Sequence, residues 1–227
     1  MEIETIRGGA FQSVLVTFAP GEHLVSDSGA MFRASANVDI DIQARAKGSS
    51  GIFGAAKRMF GGDTFFQSTY TITEGASGEV GLAATLPGEV RVIDLAGQTW
   101  MATGGSFLVA CGDVSMEARF QGMRGFFSGE SLFFLELKGT GKVVVGAFGA
   151  IREIEVDGEL TVDSGQVVAF ESSLEFRATK AGGSWIKSFL AGEGIVLRFT
   201  GSGRILVQSH SAPELGRRLG PMLPQRG

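Results

Sequence analysis

The stretch Gly125-Phe-Phe-Ser-Gly-Glu-Ser-Leu-Phe-Phe-Leu-Glu-Leu-Lys-Gly-Thr-Gly-Lys-Val-Val-Val145 decides how the chain is read. An aromatic loop opens it, Gly129-Glu130 turns it, and the apolar run Leu132 to Leu137 has the make-up of a strand. Gly139-Thr140-Gly141 reads as a turn into a second strand, Val143 to Val145, so the stretch predicts a β-hairpin. The device recurs on either side. Phe60-Gly-Gly-Asp63 leads into Thr64-Phe-Phe-Gln67. Leu190-Ala-Gly-Glu193 leads into Gly194 to Phe199, with Gly201-Ser-Gly203 as its turn and Arg204-Ile-Leu-Val207 as its second strand.

A second recurrence lies upstream of each hairpin. In residues 13–45, Val14, Val16 and Phe18 alternate, Pro20-Gly21-Glu22 turns, and Leu24-Val25, Gly29, Met31-Phe32 and Val38-Asp-Ile-Asp-Ile42 follow. Residues 89–120 replay the order with Val90, Val92 and Ile93, then Ala96-Gly97-Gln98, Trp100-Met101, Gly105, Phe107-Leu108 and Val114-Ser-Met-Glu-Ala118. Residues 151–178 do so again with Ile154, Val156, Asp157-Gly158-Glu159, Leu160, Val162, Gly165, Val167-Val168 and Leu174-Glu-Phe176. The turn glycine and the next one are eight positions apart in the first two stretches (21 to 29, 97 to 105) and seven in the third (158 to 165). Period-2 alternation with glycine punctuation predicts an all-β fold. A single domain, 1–227, is expected, built of three tandem pseudo-symmetric repeats at about 1–86, 87–150 and 151–211 with a C-terminal tail, 212–227. Helical spacing is confined to Ile52–Met59 and to Glu214–Leu223, the latter ended by Pro224.

One such unit, with a half-buried sheet, is marginal alone. Three in tandem share edges and bury a common core, and the outer edges are then satisfied by further copies of the chain. The 35 glycines follow no Gly-X-Y period and serve turns and bulges. A net charge of -4 argues against a nucleic-acid grip. The one cysteine, Cys111, excludes an internal disulfide and fits a reducing compartment. Met1-Glu-Ile-Glu-Thr-Ile-Arg lacks the pattern of a signal peptide, and no apolar run approaches the roughly twenty residues of a membrane span. The expected location is cytoplasmic.

Several segments carry a family resemblance: Lys57-Arg-Met-Phe-Gly-Gly-Asp-Thr-Phe-Phe66, Leu86-Pro-Gly-Glu89, Gly104-Gly-Ser-Phe-Leu-Val-Ala110, Gly146-Ala-Phe-Gly149, Val168-Ala-Phe170 and Gly192-Glu-Gly194. In this order they resemble the prokaryotic relatives of the mitochondrial biogenesis (altered inheritance of mitochondria) family, over nearly the whole chain. The resemblance implies a TRAP-like fold, a short double-stranded β-helix of jelly-roll type, with three units per chain and homotrimers of quasi-ninefold symmetry. It brings no catalytic residues, and its mitochondrial members are linked to inner-membrane organisation.

Tests for chemistry point away from an enzyme. His23 and His210 stand alone, without the spacing or the cysteine cluster of a metal site, so no metal and no cofactor is expected. Asp39 and Asp41 read as the wet face of a strand whose other face carries Val38, Ile40 and Ile42. Cys111, within Phe107-Leu-Val-Ala-Cys111, reads as a small buried apolar residue. No G-x-S-x-G with a supporting histidine occurs.

The loops before the hairpins are the candidate interaction sites: Arg58, Phe60 and Asp63; Arg124, Phe126, Phe127 and Glu130; Trp185, Lys187 and Glu193. Each sets aromatic rings beside a cation, and each has an acid five or six positions after the basic residue, suited to an ion pair across the loop. The favoured use is plugging of the barrel ends or of a subunit seam. The alternative is a peripheral membrane organiser dipping rings and cations into an anionic interface. A small-molecule- or RNA-binding ring is a further alternative, with acidity set against RNA. The expected function is a non-enzymatic, self-assembling scaffold or interaction module whose partner is itself, as a trimer.

Overall fold

The computed structural model describes residues 1–9, 11–44, 66–120, 133–180 and 195–224. Its strands are β1 (Glu2–Gly8), β2 (Phe11–Phe18), β3 (Leu24–Asp27), β4 (Met31–Ala34), β5 (Val38–Ala44), β6 (Phe66–Ile72), β7 (Gly78–Ala83) and β8 (Val90–Ala96). They continue with β9 (Trp100–Thr103), β10 (Phe107–Phe120), β11 (Phe133–Gly146), β12 (Ile151–Asp163), β13 (Val167–Glu171), β14 (Glu175–Lys180) and β15 (Ile195–Gln208). One short helix, α1 (Ala212–Leu219), follows. The fold is all-β, as the alternation predicts, and its sheets are antiparallel. One runs β1-β2-β7-β4; the other runs β12-β15-β13-β9-β11-β10-β3-β6-β5, with β14 on β15 and β8 on β11.

Each stretch is arranged about its last strands. In residues 11–83, β7 pairs with β2 and β4, while β6 pairs with β3 and β5. In residues 90–146, the single strand β11 does both tasks. Its C-terminal half pairs with β8 and the start of β10, and its N-terminal half with β9 and the rest of β10. In residues 151–208, β15 likewise holds both halves of β12, with β13 at its C-terminal end and β14 at its N-terminal end. A register shift falls at the corresponding place each time: Met31/Arg33, Phe107/Val109 and Val167/Ala169. An extra residue there bends the strand and re-aims its side chains.

Three expected turns are not turns. Gly139-Thr140-Gly141 lies inside β11, Gly201-Ser202-Gly203 inside β15, and Asp157-Gly158-Glu159 inside β12. The hairpin expected within Leu132–Val145 is therefore one long strand. The glycines bend it without ending it, because Gly112 faces Gly141 and Gly158 faces Gly201 across the ladders. Gly139 has φ +126°, and a Cβ there would stand 2.0 Å from the Asp113 carbonyl oxygen. Only glycine lets the two backbones approach so closely. By contrast, Pro20-Gly21-Glu22 and Ala96-Gly97-Gln98 do separate strands.

Two further expectations need correction. The helix of the tail starts earlier than Glu214, at Ala212 with Pro213 in its first turn, and ends at Leu219 before a 3₁₀ turn, Gly220–Met222. Proline suits the first turn, and Pro221 cannot continue the α-helical ladder. The apolar face expected on β5 is covered only at its start: Val38 packs against the cluster of Val14, Val16 and Phe18, whereas Ile40 is 37% and Ile42 64% exposed. The expected helix over Ile52–Met59 lies outside the described residues.

Among the described residues the core forms three clusters, and the first two reach into the following stretch. Val14, Val16, Phe18, Leu24 and Tyr70 pack with Leu108, Val109 and Val144. Trp100, Leu135, Leu137 and Val143 pack with Val168, Ala169 and Leu206. The third gathers Phe134, Phe170, Leu197, Phe199 and Ile205, with Phe170 edge-on to Phe134 and Phe199 at 5.3 Å and 5.0 Å. Burying each such side chain contributes about 1.5–3 kcal/mol.

Candidate interaction surface

The ten loop residues singled out in the sequence (Arg58, Phe60, Asp63, Arg124, Phe126, Phe127, Glu130, Trp185, Lys187 and Glu193) all lie outside the described residues. So do the three ion pairs expected among them. The described residues offer other features, of three kinds.

The first kind is the reactive side chains. Among the described residues, no group of three or more His, Cys, Asp or Glu is placed to hold a metal ion. His210 is engaged locally: its Nδ1 lies 2.7 Å from Ser209 Oγ and its ring 5.2 Å from that of Phe148. Ser209 Oγ also accepts the Ala150 N–H at 2.9 Å, which makes the pair a turn staple. Cys111 is buried as expected, and burial pushes its thiol up to about 12, so it is no nucleophile at neutral pH. Burial likewise raises the Asp27 carboxyl to about 6, opposed by its hydrogen bond from the Ser28 backbone.

The second kind is a set of ionic contacts. Glu171 takes both Nε (2.9 Å) and Nη2 (2.6 Å) of Arg204, together with the Arg204 backbone N–H. This contact holds the Arg204 pKa up, and the guanidinium lies 5.2 Å over the buried Trp100 ring. The Trp100 indole N–H has no acceptor among the described residues. Glu136 gathers Arg119 and Lys138 on an exposed face, and the Arg119 hydrogen bonds hold its carboxyl below the usual range.

The third kind is strand edge, and it is the most informative. Two junctions join the stretches: β3 pairs with β10, and β9 pairs with β13. Among the described residues, the outer edge of β4 and the outer edge of the C-terminal half of β12 have no ladder partner. Met31 and Phe32 on β4 are 37% and 52% exposed. Their counterparts at the inner junctions, Phe107-Leu108 and Val167-Val168, are at most 3% exposed. Leu160 and Val162 are half-buried, whereas Leu24, Trp100 and Ala102 at the corresponding places are fully buried. An unpaired edge with exposed apolar side chains is a template for another chain.

Comparison with known proteins places the chain in a family. The family model described as mitochondrial biogenesis AIM24 matches residues 4–210. The chain belongs to the mitochondrial biogenesis AIM24 family. It is similar to an uncharacterised protein of Streptococcus pyogenes serotype M6, 28% identical over 224 residues that span 96% of this chain and 89% of that protein. A crystal structure of a Streptococcus pyogenes protein superposes with a TM-score of 0.81 at 23% identity, covering 98% of this chain and 99% of that one. That likeness shows the fold. The AIM24 match agrees with the resemblance carried by the glycine-rich segments.

Sequence reasoning anticipated edges in this AIM24 family member as a class, but not which ones. Met31-Phe32 reads like Phe107-Leu108; what leaves it uncovered is that no described strand pairs with the outer edge of β4. The ionic contact of Arg204 with Glu171 gave no local signal, since 33 residues separate its members.

Proposed function

We propose that the chain is a non-enzymatic, self-assembling β scaffold, made of three copies of one TRAP-like unit that close into a ring with further copies, as a homotrimer. The shared pairing order and the recurring register shift support the three-unit, double-stranded β-helical reading. The observation that carries self-assembly is the exposure of Met31 and Phe32 at 37% and 52%, where the corresponding inner residues are at most 3% exposed. Apolar side chains on an unpaired edge are covered most economically by the complementary edge of another copy. Light scattering at micromolar concentration tests the reading. A mass near three times 23.8 kDa is expected, and a monomer mass contradicts it.

A second reading, a peripheral membrane organiser, draws on the tail. Leu215, Leu219, Met222 and Leu223 are exposed on α1 and the turn after it, beside Arg217 and Arg218. Apolar side chains flanked by arginines suit an anionic bilayer interface. No helix of the described residues is long and apolar enough to cross a membrane. Sedimentation with anionic vesicles, lost on removal of residues 212–227, supports this reading; no sedimentation of the intact chain rejects it.

A further inference from the structure

We propose that the C-terminal half of β12 pairs antiparallel with β4 of a second copy, head to tail, in the register Val162↔Arg33, Thr161↔Ala34 and Leu160↔Ser35. The inference rests on the self-assembly reading above and gives it an edge, a partner and a register.

The chain makes the same junction twice within itself. Ser26, Val25 and Leu24 face Val109, Ala110 and Cys111. Ala102, Met101 and Trp100 face Ala169, Phe170 and Glu171. Two independent landmarks fix the correspondence. On one side, Val109 and Ala169 each close a register shift that begins at Phe107 and Val167, and Arg33 closes the shift that begins at Met31. On the other, Ser26 and Ala102 stand three residues before Gly29 and Gly105, and Val162 stands three before Gly165. Both landmarks give Val162 opposite Arg33.

Packing agrees with the ladder. Leu108 of the second stretch enters the first cluster, and Val168 of the third enters the second. Phe32 holds the corresponding place but joins no core cluster of its own chain and lies over Gly81 at 52% exposure. The third cluster is bordered by the half-buried Leu160, Val162 and Phe176, the surface such a ring would cover. Size is matched locally as well. Arg33, Val109 and Ala169 face Gly81, Val144 and Leu206 respectively. A Cβ at Gly81 would meet the Phe32 ring at 2.6 Å, so the glycine makes room for the larger side chain. Because the junction joins two different edges, the contact is heterologous and continues from copy to copy until it closes.

Engineered cysteines test the register. Facing residues of an antiparallel pair lie about 4.5–5.5 Å apart between Cα atoms, within disulfide reach, while diagonal neighbours stand about 7–8 Å apart. The variants are Arg33→Cys/Val162→Cys and Ala34→Cys/Thr161→Cys, one of which is the narrower pair, with Arg33→Cys/Leu160→Cys as the offset control. The native thiol, buried and pushed up to about 12, does not compete. Under mild oxidation, at least one in-register variant should lose its monomer band to reducible oligomers while the control keeps its own. Equal linking of the control overturns the register. No linking in either in-register variant, with an assembled mass by light scattering, overturns the choice of edges and leaves self-assembly standing. A monomer mass for the unlinked parent chain overturns both. The positions are exposed or half-buried, and a parent-like thermal midpoint confirms that each variant is folded.

Discussion

The inner junctions and the outer ends are built from the same parts and end in opposite states. Ala102 on β9 is fully buried against β13, while Val162, three residues before the corresponding glycine, borders solvent. Leu108 is 2% exposed and Phe32 is 52% exposed. The side chains are comparably apolar, so what differs is whether a strand of a neighbouring stretch pairs with the edge. Burial here is a property of the junction and not of the residue. On the self-assembly proposal, the stability of the single chain and that of the assembly reside in chemically similar but separable places.

The largest effect should come from placing a charge in each kind of junction. Ala102→Asp buries an unpaired carboxylate and should cost about 3–5 kcal/mol, seen as a collapse of the thermal midpoint. Val162→Asp should leave the midpoint of the chain nearly unchanged and lower the assembled mass. If both variants unfold alike, the distinction between inner and outer edges is broken. Next comes the bend. Gly139→Ala sets a Cβ 2.0 Å from the Asp113 carbonyl oxygen, whereas Gly97→Ala meets nothing within 4 Å at φ +100°. Strain alone costs about 1–3 kcal/mol at either site. Gly139→Ala should therefore exceed Gly97→Ala in denaturant unfolding, and equal losses would show that β11 relaxes around the clash.

The position two residues before each junction glycine also differs: Asp27, Thr103 and Asp163 precede Gly29, Gly105 and Gly165. Asp163 accepts the Gly165 N–H at 2.8 Å, and the Thr103 hydroxyl lies 3.3 Å from the Val168 carbonyl oxygen. Asp27 is the one whose carboxyl is raised, to about 6 against an ordinary 3.8. The folded chain then holds its proton more tightly than the unfolded one, so stability falls as pH rises from about 4 to about 6. Asp27→Asn should gain about 1–2 kcal/mol at pH 8 and nothing at pH 4. A gain independent of pH would remove titration as its cause. Smallest of all, Arg119→Ala on the exposed Glu136 cluster should change stability by no more than about 0–1 kcal/mol, less in high salt.

Much of the strand content is written in the chain. The alternation of Val14, Val16 and Phe18 places all three at 2% exposure or below, and the breaks at Gly21 and Gly97 stand where their turn chemistry puts them. Glycines 139, 141, 158, 201 and 203 have the local signature of turns, because a bend within a ladder and a turn between ladders use the same residue. Only the partner strand distinguishes them, and Gly112 lies 29 positions from Gly141. The apolar face of β5 was read correctly as apolar but not as uncovered beyond Val38, since periodicity gives a face and not its neighbour. The aromatic loops stand outside the described residues; the unpaired edges of β4 and β12 stand out from those of β1, β5, β8 and β14 only through their counterparts at the inner junctions.

Hydrogen exchange on the wild-type chain, at micromolar concentration and again after dilution, tests self-assembly through the open edges most directly. Pairing across copies predicts that the outward amides of residues 31–34 and 160–163 are protected when concentrated, to the degree of 24–27 and 100–103, and that dilution to the dissociated chain releases only these, while the inward amides stay bonded to β7 and β15. Fast exchange of the outward amides of 31–34 and 160–163 at every concentration would contradict it.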